Sequence, residues 1–147
     1  MVNVNVQGKK YPPTAPYLVG REKIREFARA VQSNSPTNLD VFAAQAAGYQ
    51  DLVAPTTFAV VIQERSLATV LADPEAGIDF SRVVHGDQRF VYERPIIAGD
   101  ELTSQLTVAS VKSLGAHSMV TFETQIFDID QKLVCTAIST LVVRGDE

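Results

Sequence analysis

Basic residues are too few in this chain to make a polyanion-binding face. Thirteen lysines and arginines stand against 17 aspartates and glutamates, leaving a net charge of −4. Nucleic acid and anionic membrane surfaces both require a positive footprint, so neither is expected as a partner. The densest basic cluster, residues 21–29, is interleaved with Glu22 and Glu26, the pattern of a solvated helix face. Cysteine is nearly missing as well. Cys135 stands alone, so no intramolecular disulfide can form, which fits a reducing compartment. It lies in the apolar run 133–138 and reads as a small buried hydrophobe rather than a nucleophile. The two histidines, His85 and His117, are far apart and no Cys-x-x-Cys spacing occurs, so no metal site is expected. There is no glycine-rich phosphate loop, and no cofactor is expected. No apolar run reaches the roughly 18 residues of a membrane span. The start, MVNVNVQGKK, lacks the charged opening and long apolar centre of a signal peptide. The expectation is one cytoplasmic domain over residues 1–147.

What is present divides into a helical half and a strand half. Three of the seven prolines fall within residues 11–16, which predicts an extended, irregular opening. After Gly20, Ile24, Phe27, Ala28 and Val31 recur at helical spacing on one face. Serine, asparagine and proline over residues 33–38 stop that helix. A short helix over 40–47 follows, capped by Asn38 or Asp40 and ended by Gly48. Pro55 suits a first helical position, where its missing N–H costs nothing. From Thr56 to Leu71 apolar residues lie nearly all round, which predicts a buried helix over about 55–72, ended by Asp73-Pro74. Beyond residue 80 the texture is β: segments 82–94, 101–111, 118–128 and 132–144, separated by short turns. Val120, Phe122 and Ile126 share one parity and Thr121, Glu123 and Gln125 the other, as in an antiparallel sheet with one face on a core. The fold class is therefore α+β, an antiparallel sheet wrapped round one central helix.

The stretch 32–58, QSNSPTNLDVFAAQAAGYQDLVAPTTF, carries a more specific signal. It resembles the active-site segment of the MaoC-like, R-specific enoyl-thioester hydratases and dehydratases, a hot-dog-fold family. There the segment reads roughly G-D-x-N-P-(aliphatic)-H-x-D, and its Asp and His form an acid–base pair. Aligned on Pro36 and Asp40, this chain has Ser33 in place of the Asp and Asn38 in place of the His. The segments 48–58 and 94–102, the latter RPIIAGDEL, resemble the lead-in to the central helix and a strand link of the FAS1-like N-terminal dehydratase branch. With residues 19–28 and 84–90, the similarity runs over nearly the whole chain. It extends to actinobacterial UPF0336-type proteins and to the non-catalytic subunits of mycobacterial (3R)-hydroxyacyl-carrier-protein dehydratases. The resemblance implies a single hot-dog domain, an acyl-CoA or acyl-carrier-protein thioester as ligand, and a homodimer or a heterodimer with a catalytic MaoC-like subunit.

The replacements bear directly on chemistry. Dehydrating a 3-hydroxyacyl thioester removes a proton from C2 and protonates the departing C3 hydroxyl, which requires groups that change protonation near neutral pH. A serine hydroxyl has a very high pKa, and an asparagine amide does not titrate. The resemblance also aligns Pro55, which has no N–H, with a glycine whose N–H helps hold the thioester carbonyl; the Thr56 N–H is a substitute donor. Ser33, Asn38, Pro55, Thr56, Thr57 and His85 are thus the expected substrate-binding positions, with no catalytic residue assigned. Ser33 and Asn38 also suit a plain polar turn capping the next helix. His85 is the best remaining titratable candidate, though its plainer reading is a structural histidine beside a bulge at Gly86. Spacing by two predicts that His85 and Asp87 share a sheet face. His117, near Gly115, is expected in an exposed hairpin turn. Three functions follow as expectations: a non-catalytic dehydratase subunit needing a partner that supplies Asp and His; a self-sufficient homodimeric hydratase or thioesterase using His85 and Asp87; or a non-enzymatic acyl-CoA binding module.

Overall fold

The core is a curled antiparallel sheet laid against one helix. The structure, a computed structural model, describes residues 1–145. The strands are β1 Tyr17–Leu18, β2 Val83–Tyr92, β3 Glu101–Leu114, β4 His117–Phe127 and β5 Leu133–Val143, ordered β1-β3-β4-β5-β2. The helices are α1 Arg21–Ala30, α2 Pro36–Leu39, α3 Val41–Ala46 and α4 Ala59–Leu71. Alternation in β4 falls as expected: Val120, Phe122 and Ile126 are buried against α4, and Thr124 is buried with them. The β3–β4 hairpin closes at Gly115, whose φ of 59° is a left-handed conformation that glycine adopts without a Cβ clash.

Upstream of the sheet, α1 buries Ile24 and Ala28, and Phe27 meets Phe58 edge-on at 5.3 Å. Val31 lies beyond the last turn and is exposed, so the apolar face is one residue shorter than its spacing predicts. Asp40, not Asn38, caps α3, its carboxylate accepting from the Phe42 N–H. Asn38 instead sits inside the one-turn helix α2 and is buried.

The central helix differs from expectation in two ways. It begins at Ala59, because residues 56–58 form a tighter turn in which Phe58 N–H donates to the Pro55 carbonyl and Val60 N–H to the Thr57 carbonyl. That turn still opens at Pro55, where no N–H is missed. Nor is α4 buried all round. Glu64, Arg65, Ala68 and Thr69 are exposed, while two polar residues, Gln63 and Ser66, share the buried face with Ala59, Ile62, Leu67 and Val70. Apolar composition alone misled here, since Val60 and Val61 are only half-buried.

Candidate functional site

The one-turn helix α2 carries Asn38 as its buried residue. Pro36 occupies its first turn, and Val53 N–H donates to the Thr37 carbonyl at 2.9 Å, pinning the turn against the extended segment 52–54. That segment is itself held by Ala54 N–H to the Ile96 carbonyl at 2.8 Å and Ala98 N–H to the Leu52 carbonyl at 2.9 Å. Ser33 follows Gln32, which turns the chain through a left-handed φ of 58° after α1. The result brings the two sequence-predicted positions into contact. The Ser33 hydroxyl donates to Asn38 Oδ1 at 2.6 Å, and Asn38 Nδ2 donates to the Val53 carbonyl at 2.6 Å. Asn38 is only 5% exposed and both ends of its amide are engaged. Nothing in this pair can take up or release a proton near neutral pH.

Two residues beyond Val53 the chain reaches Pro55, Thr56 and Thr57. Both threonines are exposed at the N-terminal end of α4, where unpaired N–H groups and the helix dipole favour negative charge. Among the described residues, no acceptor is found for the Thr56 or Thr57 N–H. A groove of about 390 Å³ runs past this turn, lined by Val53, Ala54, Thr56 and, across it, Tyr92 and Ile96. Tyr92 was not foreseen as part of the site. Its hydroxyl donates to the Thr56 carbonyl at 2.6 Å, and burial, the largest cause, pushes its phenol above the ordinary value. The neutral phenol therefore ties the turn to β2 at every physiological pH. Arg94, also on the groove, is committed to Asp100 at 2.9 Å and Asp128 at 3.4 Å, so its charge is already balanced. The inward parity of Phe90 and Tyr92 along β2 was the available signal for Tyr92.

His85 does not join this group. It lines a different cavity with Glu64 and Leu67, near the opposite end of β2. The bulge expected at Gly86 is present, and it separates His85 from Asp87. Across β5, His85 pairs with Leu141 and Asp87 with Thr140, which are consecutive and face opposite ways. The expected shared face is therefore wrong: the extra bulge residue reverses the parity between them. Asp87 instead lies 3.5 Å from Arg89 on the outer face. His117 opens β4, exposed as expected, and accepts from the Gly145 N–H. Cys135 is buried, and desolvation, the largest cause, raises its thiol to about 11. Among the described residues, no three His, Cys, Asp or Glu side chains cluster as a metal site would need, and no helix is long and apolar enough to cross a membrane.

A helix wrapped by this curled antiparallel sheet is the arrangement of a hot-dog fold. Comparison with known proteins narrows it. The family described as FAS1-like, dehydratase domain region, matches residues 5–137. A UPF0336 protein of Leifsonia xyli is 66% identical over 99% of this chain and 98% of its own length. A UPF0336 protein of Clavibacter michiganensis is 57% identical over 99% of this chain and 98% of its own. Among solved structures, a chain of the C-terminally truncated HadBC (3R-hydroxyacyl-ACP dehydratase) complex from Mycobacterium tuberculosis aligns with a TM-score of 0.82. It is 33% identical over 96% of this chain and 99% of that one. A MaoC-like dehydratase aligns at 0.86 and 32% identity, covering 95% of this chain and 42% of that one. The chain belongs to the FAS1-like dehydratase-region family, among its UPF0336 members.

Proposed function

We propose that this chain is a non-catalytic hot-dog subunit of a (3R)-hydroxyacyl-thioester dehydratase or enoyl-thioester hydratase. It supplies scaffold and part of the acyl channel, and a second hot-dog subunit supplies the Asp and His. The observation that carries this reading is the Ser33–Asn38 pair, hydrogen-bonded at 2.6 Å and unable to titrate, at the positions the resemblance aligns with the family's acid–base groups. General acid–base groups contribute roughly 10²- to 10⁴-fold each, so a chain without them retains little rate of its own. The free Thr56 N–H beside the groove remains suited to a thioester carbonyl developing negative charge. The resemblance to a chain of a two-component dehydratase complex supports a partner of the same fold. A homodimeric enzyme resting on His85 and Asp87 is the weaker reading, because the bulge turns those side chains to opposite faces.

The test is reconstitution. The protein is mixed with a MaoC-like chain that retains the Asp/His motif, encoded beside it, and crotonyl-thioester hydration is followed. A complex whose rate exceeds that of either chain alone is expected. Absence of both complex and rate change would overturn the proposal.

A further inference from the structure

Polar groups meet α4 from the sheet in two places. Beneath the helix lies a row of side chains: Gln63 and Ser66 on α4, Ser104 on β3, Thr124 on β4, Ser139 on β5 and Gln88 on β2. Three of its oxygens, Thr124 Oγ1, Ser139 Oγ and Gln88 Oε1, find no partner among the described residues, and all three are sealed from solvent. At the first turn of α4 the polar group is the Tyr92 hydroxyl, from a residue that also borders the groove.

That turn is built from bonds spanning three residues. Phe58 N–H donates to the Pro55 carbonyl at 2.9 Å, Val60 N–H to the Thr57 carbonyl at 3.1 Å and Val61 N–H to the Phe58 carbonyl at 2.9 Å. The series calls for a fourth bond, from the Ala59 N–H to the Thr56 carbonyl, and that bond is missing. Among the described residues, no backbone N–H reaches the Thr56 carbonyl and the Ala59 N–H reaches no backbone carbonyl. The Tyr92 hydroxyl stands in the gap, donating to the Thr56 carbonyl at 2.6 Å. Its oxygen also feels the Ala59 N–H: burial, the largest cause, raises the phenol's pKa, and that N–H works against the rise. A side chain inserted into a helical ladder spreads the turn it enters.

The sheet holds the inserted group in place. Tyr92 pairs with Cys135 across the β2–β5 ladder, its ring tilts against Phe90 at 6.3 Å, and it packs on the cluster that contains Phe58 and Ile62. Without the hydroxyl, the Thr56 carbonyl and the Ala59 N–H would each lack a partner, and pairing with one another is the cheapest remedy. The turn would then close like its neighbours and draw Thr56 toward Ala59, away from Tyr92. We propose that Tyr92 is a positioning residue: its hydroxyl wedges the first turn of α4 open and so sets where the Thr56 N–H stands beside the groove. On the dehydratase reading above, on which this clause rests, the wedge aligns that N–H with the thioester carbonyl as charge develops.

The test compares the full chain with Tyr92→Phe, which keeps the ring and removes the hydroxyl. NMR couplings transmitted across hydrogen bonds should show no Ala59–Thr56 bond in the natural chain and reveal one in the variant. In the complex with the MaoC-like chain, Tyr92→Phe should lower kcat for crotonyl-thioester hydration at least about tenfold while KM stays within about twofold, the mark of a donor misplaced in the transition state. A natural chain that already has the Ala59–Thr56 bond, or a variant that fails to form it, would overturn the wedge without any activity being measured. A variant that forms the bond and keeps its kcat would overturn the positioning role. A mixture with no rate even for the natural chain, with the bond appearing as expected, would overturn the dehydratase reading and uphold the wedge.

Discussion

The Ser33–Asn38 pair and the polar row beneath α4 are both buried polar features in an apolar setting, and they are finished to different degrees. Every polar atom of the Asn38 amide has a partner, and its neighbours Pro36 and Val53 are locked by backbone bonds. The row leaves three oxygens unmet, one each on β4, β5 and β2. An unpartnered buried polar group costs about 1–3 kcal/mol, so the closed pair supports the fold where the open row strains it. By that standard the Ser33–Asn38 corner is a clasp for the segment leading into α4.

The contrast can be broken by truncation. Asn38→Ala strands the Ser33 hydroxyl and the Val53 carbonyl together, and should destabilise by about 3 kcal/mol in chemical denaturation. A loss under about 1 kcal/mol would mean the clasp is loose. Ser33→Ala leaves the Asn38 amide its bond to Val53 and removes one half-exposed partner, so about 1 kcal/mol is expected in the same assay. Thr124→Val removes a hydroxyl that has no partner, and stability should hold or rise by up to about 1 kcal/mol. A clear loss there would erase the distinction between the two features.

Acid sensitivity should come from neither of them. Asp73 accepts from Lys9 Nζ and from the Tyr11 hydroxyl, both at 2.7 Å, tying the opening segment to the end of α4. The Lys9 bond, first among the causes, lowers the Asp73 carboxyl to about 2 from its ordinary 3.8. A carboxyl held low stabilises the fold above its unfolded value, and that contribution fades as pH falls from 3.8 toward 2. Asp73→Asn should therefore flatten the acid limb of a stability–pH profile and leave its neutral region parallel to that of the natural chain.

Much of the architecture was legible from period alone. The strand half declared itself through alternation, and β4 shows why: Val120, Phe122 and Ile126 must face one way if the sheet has one core. What escaped were features whose signal is a single residue. Thr124 and Ser139 sit at inward parity among aliphatics, where one hydroxyl looks like ordinary noise; only the ladder registers place Ser139 opposite Gln88. The bulge at Gly86 was visible as a glycine in a strand, but its consequence was not, since one inserted residue flips the side-chain face beyond it. The start of α4 was misplaced because Pro55 signals a helical turn without saying whether that turn is α or tighter. At Ser33 and Asn38 the resemblance singled out two residues that the fold brings into contact. Their mutual bond and the capture of the Val53 carbonyl needed coordinates.

Restoring the two proton-transfer groups tests the central claim most directly. Crotonyl-thioester hydration is measured for the natural chain alone and for a Ser33→Asp, Asn38→His double variant that remains folded. A framework intact apart from those groups predicts a near-background rate for the natural chain and a gain of at least about a hundredfold in the variant. A natural chain that turns over alone, and loses that rate when His85 is replaced by alanine, would contradict it.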